Sequence, residues 1–175
     1  MEITFSIILP TKDRYWLVSE AVNSVLDQTY KSFELLLVDN NYNDKTLNCI
    51  NGIKDERLRY FKTGGLDMVK NWNFGLSKVN GSNILILEDK IRLDKLALQR
   101  LKCILDKYPE NDIITWNYNL PHSNNLNRIS TYDVLNKYLY SKQIPNIEAL
   151  PRMINSVVRT SLINEILYKS TEKNF

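Results

Sequence analysis

The tripeptide Glu88-Asp89-Lys90 sets two carboxylates and a cation directly after Asn83-Ile84-Leu85-Ile86-Leu87, an apolar run short enough to be a buried strand. Carboxylates at the carboxyl end of such a strand are where α/β proteins hold a hard divalent cation and a ligand phosphate. Glu88 and Asp89 are therefore the candidate metal ligands. Lys90 works against that role, because a protonated amine cannot ligate a metal ion and repels one. Like unit charges about 4 Å apart cost roughly 1 kcal/mol in water and several in a partly dry site. The alternative is a solvated strand end in which Lys90 pairs with one of the acids.

Other polar segments could share that site. Pro10-Thr11-Lys12-Asp13-Arg14 joins a hydroxyl to two cations at a strand-to-helix junction, which suits a base edge or a diphosphate. Read more plainly, Thr11 or Asp13 only caps the helix. Asp39 follows Leu35-Leu36-Leu37-Val38 and emerges where that run reaches solvent. Its carboxylate could accept from a base N–H or a ribose hydroxyl, or it could close an Asx-turn. Asn71 and Asn73 flank Trp72; their amides could reach a ligand or remain solvated. No G-x-G-x-x-G follows the first strand and no G-x-x-x-x-G-K-[ST] occurs, which removes the dinucleotide dehydrogenase and P-loop readings. The one histidine, His122, lies in the polar stretch Pro121 to Arg128 without a nucleophile elbow, so a Ser-His-Asp hydrolase has no support.

The elements that must position these groups alternate from the start of the chain. Phe5 to Leu9, Phe33 to Val38, Leu58 to Phe61, Asn83 to Leu87 and Asp112 to Trp116 read as short strands. Between them, Leu17, Val18, Ala21, Val22, Val25 and Leu26 form a helical stripe. Asp44 can cap a short helix, and Asp67 one whose core stripe is Met68, Val69, Trp72, Leu76 and Val79. A further helix follows from about Asp94, carrying Ala97, Leu101, Ile104 and Leu105. The pattern predicts an α/β fold, a mostly parallel twisted sheet with helices on both faces. Ligands in such sheets bind outside the carboxyl ends of the strands, which puts Pro10 to Arg14, Asp39 to Asp44 and Glu88 to Lys90 on one rim. Residues 1–120 are expected to form this unit, with 121–175 a helical segment of the same domain. Helices are expected there over Tyr132 to Tyr140 and Leu162 to Leu167.

Composition narrows the partners. The chain of 175 residues is 43% hydrophobic and 25% charged, with a net charge of +3. Neither that charge nor any aromatic-and-basic repeat argues for nucleic acid. No apolar run approaches the roughly 20 residues needed to span a bilayer, so membrane contact is expected to be peripheral at most. The N-terminus has no signal-peptide pattern. Cys49 and Cys103 stand apart with no zinc spacing and read as buried, reduced thiols of a cytoplasmic protein.

In order, the segments resemble a family 2 glycosyltransferase of the GT-A, Rossmann-like nucleotide-sugar-binding fold. Phe5 to Arg14 is similar to the family's opening "vSiIiPtyNR", and Ala21 to Tyr30 to "ai.Svl.Qty". Phe33 to Asn40 matches "fEiivvDd", Asp44 and Thr46 fall where "StDgT" ends, and Asn73 to Leu76 followed by Gly81 resembles "N.gl....Geyi". The resemblance implies that Pro10, Thr11 and Asp39 hold a nucleotide; Asn71, Asn73, Asp89 and Lys90 are the further candidates for the nucleotide-sugar site. It implies Mn2+ or Mg2+ on the D-x-D positions, here Glu88, Asp89 and Lys90, as the charge that neutralises the departing diphosphate. The donor would be a nucleotide-diphospho-sugar, a UDP-sugar above others, and the acceptor a glycan or lipid-linked glycan of polysaccharide biosynthesis. The base in such enzymes is usually the aspartate of an "ED" pair; Tyr168 to Phe175 contains none, so no catalytic residue is assigned and the acceptor-side region is expected to be missing. Two readings follow: an inverting transferase with weak or metal-independent activity, and an inactive nucleotide-binding or scaffold module derived from one.

Overall fold

The computed structural model describes residues 4–115 and 156–162. Its elements are β1 (Phe5–Thr11), α1 (Tyr15–Leu26), β2 (Phe33–Asp39), α2 (Lys45–Ile50), β3 (Leu58–Lys62), α3 (Met68–Leu76), β4 (Asn83–Ile86), α4 (Ala97–Lys107), β5 (Ile113–Thr115) and β6 (Ser156–Arg159). One sheet of order β3-β2-β1-β4-β6-β5 contains all six strands. The first four in that order run parallel, and β6 is antiparallel to both β4 and β5.

Side chains alternate across a strand, and here both sets are apolar. Phe5, Ile7, Leu9, Leu35 and Leu37 join Val18, Val22 and Val25 of α1 and Leu98 and Leu101 of α4 in one core. Ile8, Leu36, Val38, Ile84 and Ile86 face the other way, onto Leu76 of α3. Every residue of β1 and β2 is buried. Helices on both faces explain why these strands read as continuous apolar runs. Each aliphatic side chain taken fully from water adds about 1.5–3 kcal/mol, and that drive holds the strand ends in fixed register. The tight fit of α3 depends on Gly75, where a Cβ would lie 2.7 Å from Ile8 Cγ2 and 3.3 Å from Val38 Cγ2.

Several expectations need correction. Met68 and Val69 are exposed, at 66% and 62%, while Trp72 is half-buried against the core on that face. Since β3 ends level with Asp39, the first turn of α3 starts at the rim, past the cover of the sheet. The buried residues of α3 are Asn71, Gly75 and Leu76, so the expected stripe holds at Leu76, with Trp72 and Val79 packed partly buried against the same core. Cys49 and Cys103 are exposed free thiols, not buried ones. Their helices turn Thr46 with Ile50, and Leu98, Leu101 and Leu105, inward, leaving the cysteines off the apolar stripe. A helical segment is expected over residues 121–175, yet Ser156–Arg159 is a strand inserted between β4 and β5. Its apolar signal is two residues long, Val157-Val158, too short to register as a strand period. The expected helix over 132–140, the loop over 121–128 and most of the helix over 162–167 lie outside the described residues.

Candidate functional site

The rim is assembled by register and by a few buried amides. Thr11 and Asp39 are opposed partners at the ends of β1 and β2. The connection from β4 to α4, which carries Glu88 to Lys90, is tied to its surroundings from both sides. Leu87 N donates to Ile8 O at 2.8 Å, and Leu93 N donates to Ser24 Oγ at 3.1 Å. Gln28, fully buried, donates through Nε2 to Ser24 O and Asp94 O and accepts from Leu98 N at 3.0 Å. Its amide thus closes α1 and satisfies an otherwise orphaned donor at the start of α4.

Two polar clusters meet at the strand ends. In the first, Thr11 Oγ1 donates to Asp89 Oδ2 at 2.8 Å, and Arg14 Nε donates to the same oxygen at 3.0 Å. Arg14 Nε also lies 2.9 Å from Asp89 Oδ1. No donor hydrogen points at Oδ1, which is buried. In the second, Asp39 Oδ1 accepts from Asn41 N at 3.0 Å and Asn41 Nδ2 at 2.7 Å, and Oδ2 accepts from Tyr60 Oη at 2.8 Å. Burial, then the bond to Asp39 and the charges of Asp39 and Asp44, push the Tyr60 hydroxyl above its ordinary value of 10.0, so it stays a donor. Asn41 Oδ1 accepts from Asp13 N at 2.8 Å and Asn40 N donates to Thr11 O at 2.9 Å, so the two clusters are joined.

The expected site residues separate into groups. Thr11, Asp39 and Asp89 come together, at 3%, 0% and 1% exposure. Asp39 does close an Asx-turn, and its oxygens are already engaged. Neither Thr11 nor Asp13 caps α1; that position is Arg14, and Asp13 has a left-handed backbone with φ 59°. Asn71 is buried and accepts from Thr63 Oγ1 at 2.6 Å, while Asn40 brackets Leu66 through both its N–H and its carbonyl. Asn73 lies roughly 200° around the helix from Asn71 and shares none of these bonds. Lys90 Nζ pairs with Glu88 Oε2 at 2.8 Å. Arg14, Asn40 and Asn41 fall within the rim segments expected from the sequence but without roles of their own as site residues, and Tyr60 falls outside those segments. A signal for Tyr60 existed: it opposes Leu37 and so shares the pleat face of Asp39, two residues on.

A divalent cation, which the family resemblance implies, does not fit these side chains as they stand. Both oxygens of Asp89 already lie against Arg14, and Glu88 is matched by Lys90. Among the described residues no group of three His, Cys, Asp or Glu could hold a metal ion. An ion placed here would face the positive charges of Arg14 and Lys90.

A family model described as glycosyl transferase family 2 matches residues 6–167. The chain belongs to that family. An uncharacterized glycosyltransferase of Haemophilus influenzae is 35% identical over 99 residues, 54% of this chain and 40% of that protein. The GalNAc(5)-diNAcBac-PP-undecaprenol beta-1,3-glucosyltransferase of Campylobacter jejuni is 30% identical over 100 residues, 55% of this chain and 32% of its own length. Residues 1–349 of S. aureus TarS, in a complex with UDP-GlcNAc, superpose with a TM-score of 0.65 at 20% identity, covering 93% of this chain and 47% of that one. That likeness shows a shared GT-A fold. The chain therefore spans less than half the length of these relatives. No helix among the described residues is long and apolar enough to cross a membrane.

Proposed function

We propose that the rim binds a nucleotide-diphospho-sugar, a UDP-sugar first among them, for inverting transfer to a glycan or lipid-linked acceptor of polysaccharide biosynthesis. The supporting observation is the convergence of Thr11, Asp39 and Asp89, from three strand ends, into one hydrogen-bonded patch. Asp39 and Asp89 are buried, so their part is to orient the groups a ligand would touch. The nucleoside would lie over the ends of β1 and β2, against Pro10, Thr11 and the exposed ring of Tyr42, with the diphosphate toward Arg14 and Lys90. The acceptor hydroxyl oxygen would bond to the anomeric carbon as the sugar–phosphate bond breaks. Its proton would go to a base that we do not assign among the described residues. A lipid-linked acceptor would be met by peripheral contact at the cytoplasmic membrane face.

A second reading, an inactive module that keeps the pocket, is favoured by one observation: both acids after β4 are already neutralised by the protein's own cations. The two part in one assay. A panel of nucleotides and sugar nucleotides is tested by thermal shift, and the binders are then assayed for UDP release with glycan acceptors. A ligand at about 100 times its Kd should add roughly 2.7 kcal/mol of stability. Turnover supports the transferase, and binding without turnover supports the module. No shift with any nucleotide contradicts a donor site in either form and favours a module that keeps only the scaffold.

A further inference from the structure

Resting on the donor-site reading above, we propose that the diphosphate of the donor is gripped by a built-in cation pair, Arg14 and Lys90, in place of a divalent metal ion. Asp89 is 1% exposed, and both its oxygens lie within 3.0 Å of Arg14 Nε. Such a carboxylate serves as an anchor for a guanidinium. Because Arg14 engages Asp89 through Nε, its terminal nitrogens stay available; they make no hydrogen bond among the described residues, and the side chain is 49% exposed. A guanidinium fixed at its inner edge presents a planar fork whose geometry matches phosphate oxygens.

The backbone sets the same orientation independently. Asp13 holds a left-handed conformation, φ 59°, which few residues other than glycine, asparagine and aspartate accept. Its N–H donates to the buried Asn41 amide oxygen at 2.8 Å. Arg14 is thus aimed from two sides, by Asn41 through the N–H of Asp13 and by Asp89 through Nε. Arg14 Nε sits between the two Asp89 oxygens, at 2.9 Å from Oδ1 and 3.0 Å from Oδ2, so the carboxylate fixes the inner edge of the guanidinium. Lys90 supplies the second charge: its side chain is 59% exposed and its pairing with Glu88 is a solvated contact that can open. A fixed positive charge placed where the leaving diphosphate gains charge does the work otherwise done by a metal ion.

The test is calorimetric titration of the whole chain with UDP, in EDTA and again in Mn2+, with uridine as the probe that lacks phosphates. The expected result is UDP binding of equal affinity, within about twofold, in both buffers. Arg14→Ala should weaken UDP roughly tenfold or more and Lys90→Ala several-fold, with uridine binding unchanged. Arg14→Lys should recover part of the loss, since it restores charge without the fork. UDP binding that appears only with Mn2+ would overturn the inference while leaving the donor site standing. Arg14→Ala and Lys90→Ala binding UDP as well as the wild type would overturn it too. Should Arg14→Ala fail to fold by circular dichroism, the EDTA comparison and Lys90→Ala decide. No binding of any nucleoside diphosphate in either buffer would overturn this proposal and the donor-site reading together.

Discussion

At the amino ends of the strands, Glu34 is 2% exposed and every lone-pair direction it offers is met. Ser6 Oγ and Asn80 N donate to Oε1, each at 2.6 Å, and Arg59 and Asn80 Nδ2 donate to Oε2 at 2.5 and 3.0 Å. At the carboxyl ends, Asp89 is as deeply buried, yet both its donors, Thr11 and Arg14, go to a single oxygen. Asp89 is thus compensated mainly by one half-exposed guanidinium, where Glu34 is held by four donors from the surrounding elements. The two ends therefore divide the labour. The amino end ties β1, β2 and the loop before β4 together, and on the proposed reading the carboxyl end holds Arg14 outward for a ligand.

The comparison breaks most visibly at Gly81, whose N–H donates to Ser6 Oγ at 2.8 Å. A Cβ there would lie 2.8 Å from Phe5 C and from Ser6 N, atoms of a buried strand that cannot move aside. Gly81→Val should cost about 3 kcal/mol in urea unfolding. A loss under 1 kcal/mol would mean that the amino end is slacker than its geometry. Glu34→Gln comes next, at about 2 kcal/mol near neutral pH. Burial alone would raise the Glu34 carboxyl, but hydrogen bonds from Ser6, Asn80 and Arg59 outweigh it and hold the group below its ordinary 4.5. Its contribution is therefore present above pH 4.5 and is lost as pH falls through the depressed value. The stability gap between wild type and variant should close on acidification, and a gap independent of pH would contradict the assignment.

The smallest effect is expected at Tyr60, whose hydroxyl is raised above 10.0 in the fold. Its stabilising share is complete below pH 10 and declines as pH rises toward the folded value. Tyr60→Phe should cost about 1 kcal/mol near neutral pH and remove part of the alkaline loss of stability. An unchanged alkaline limb would detach Tyr60 from Asp39.

Much of this was legible in the sequence because strand and helix periods differ and the apolar runs are short. β1 to β4 and the rim they share follow from that alternation, as does Asp67, which caps α3 by accepting from Lys70 N. The site was legible only as a location. Which partner Asp39 or Asp89 takes depends on cross-strand register and on long-range contacts, such as Arg14 reaching a residue far along the chain, that no local pattern encodes. Met68 and Val69 misled for a related reason. Their spacing is that of a core stripe, but the sheet ends before their turn of helix begins. β6 was invisible because two valines carry no period.

The most direct test of the divided sheet pairs Asp89→Asn with Glu34→Gln, each measured for melting temperature and for UDP affinity. Asp89→Asn should melt within a few degrees of the wild type and bind UDP roughly tenfold more weakly, a change of about 1.4 kcal/mol. Glu34→Gln should melt lower and bind UDP as the wild type does. The reverse pattern, in which Asp89→Asn keeps full affinity and Glu34→Gln loses it, would contradict the placement of the ligand site at the carboxyl ends of the strands.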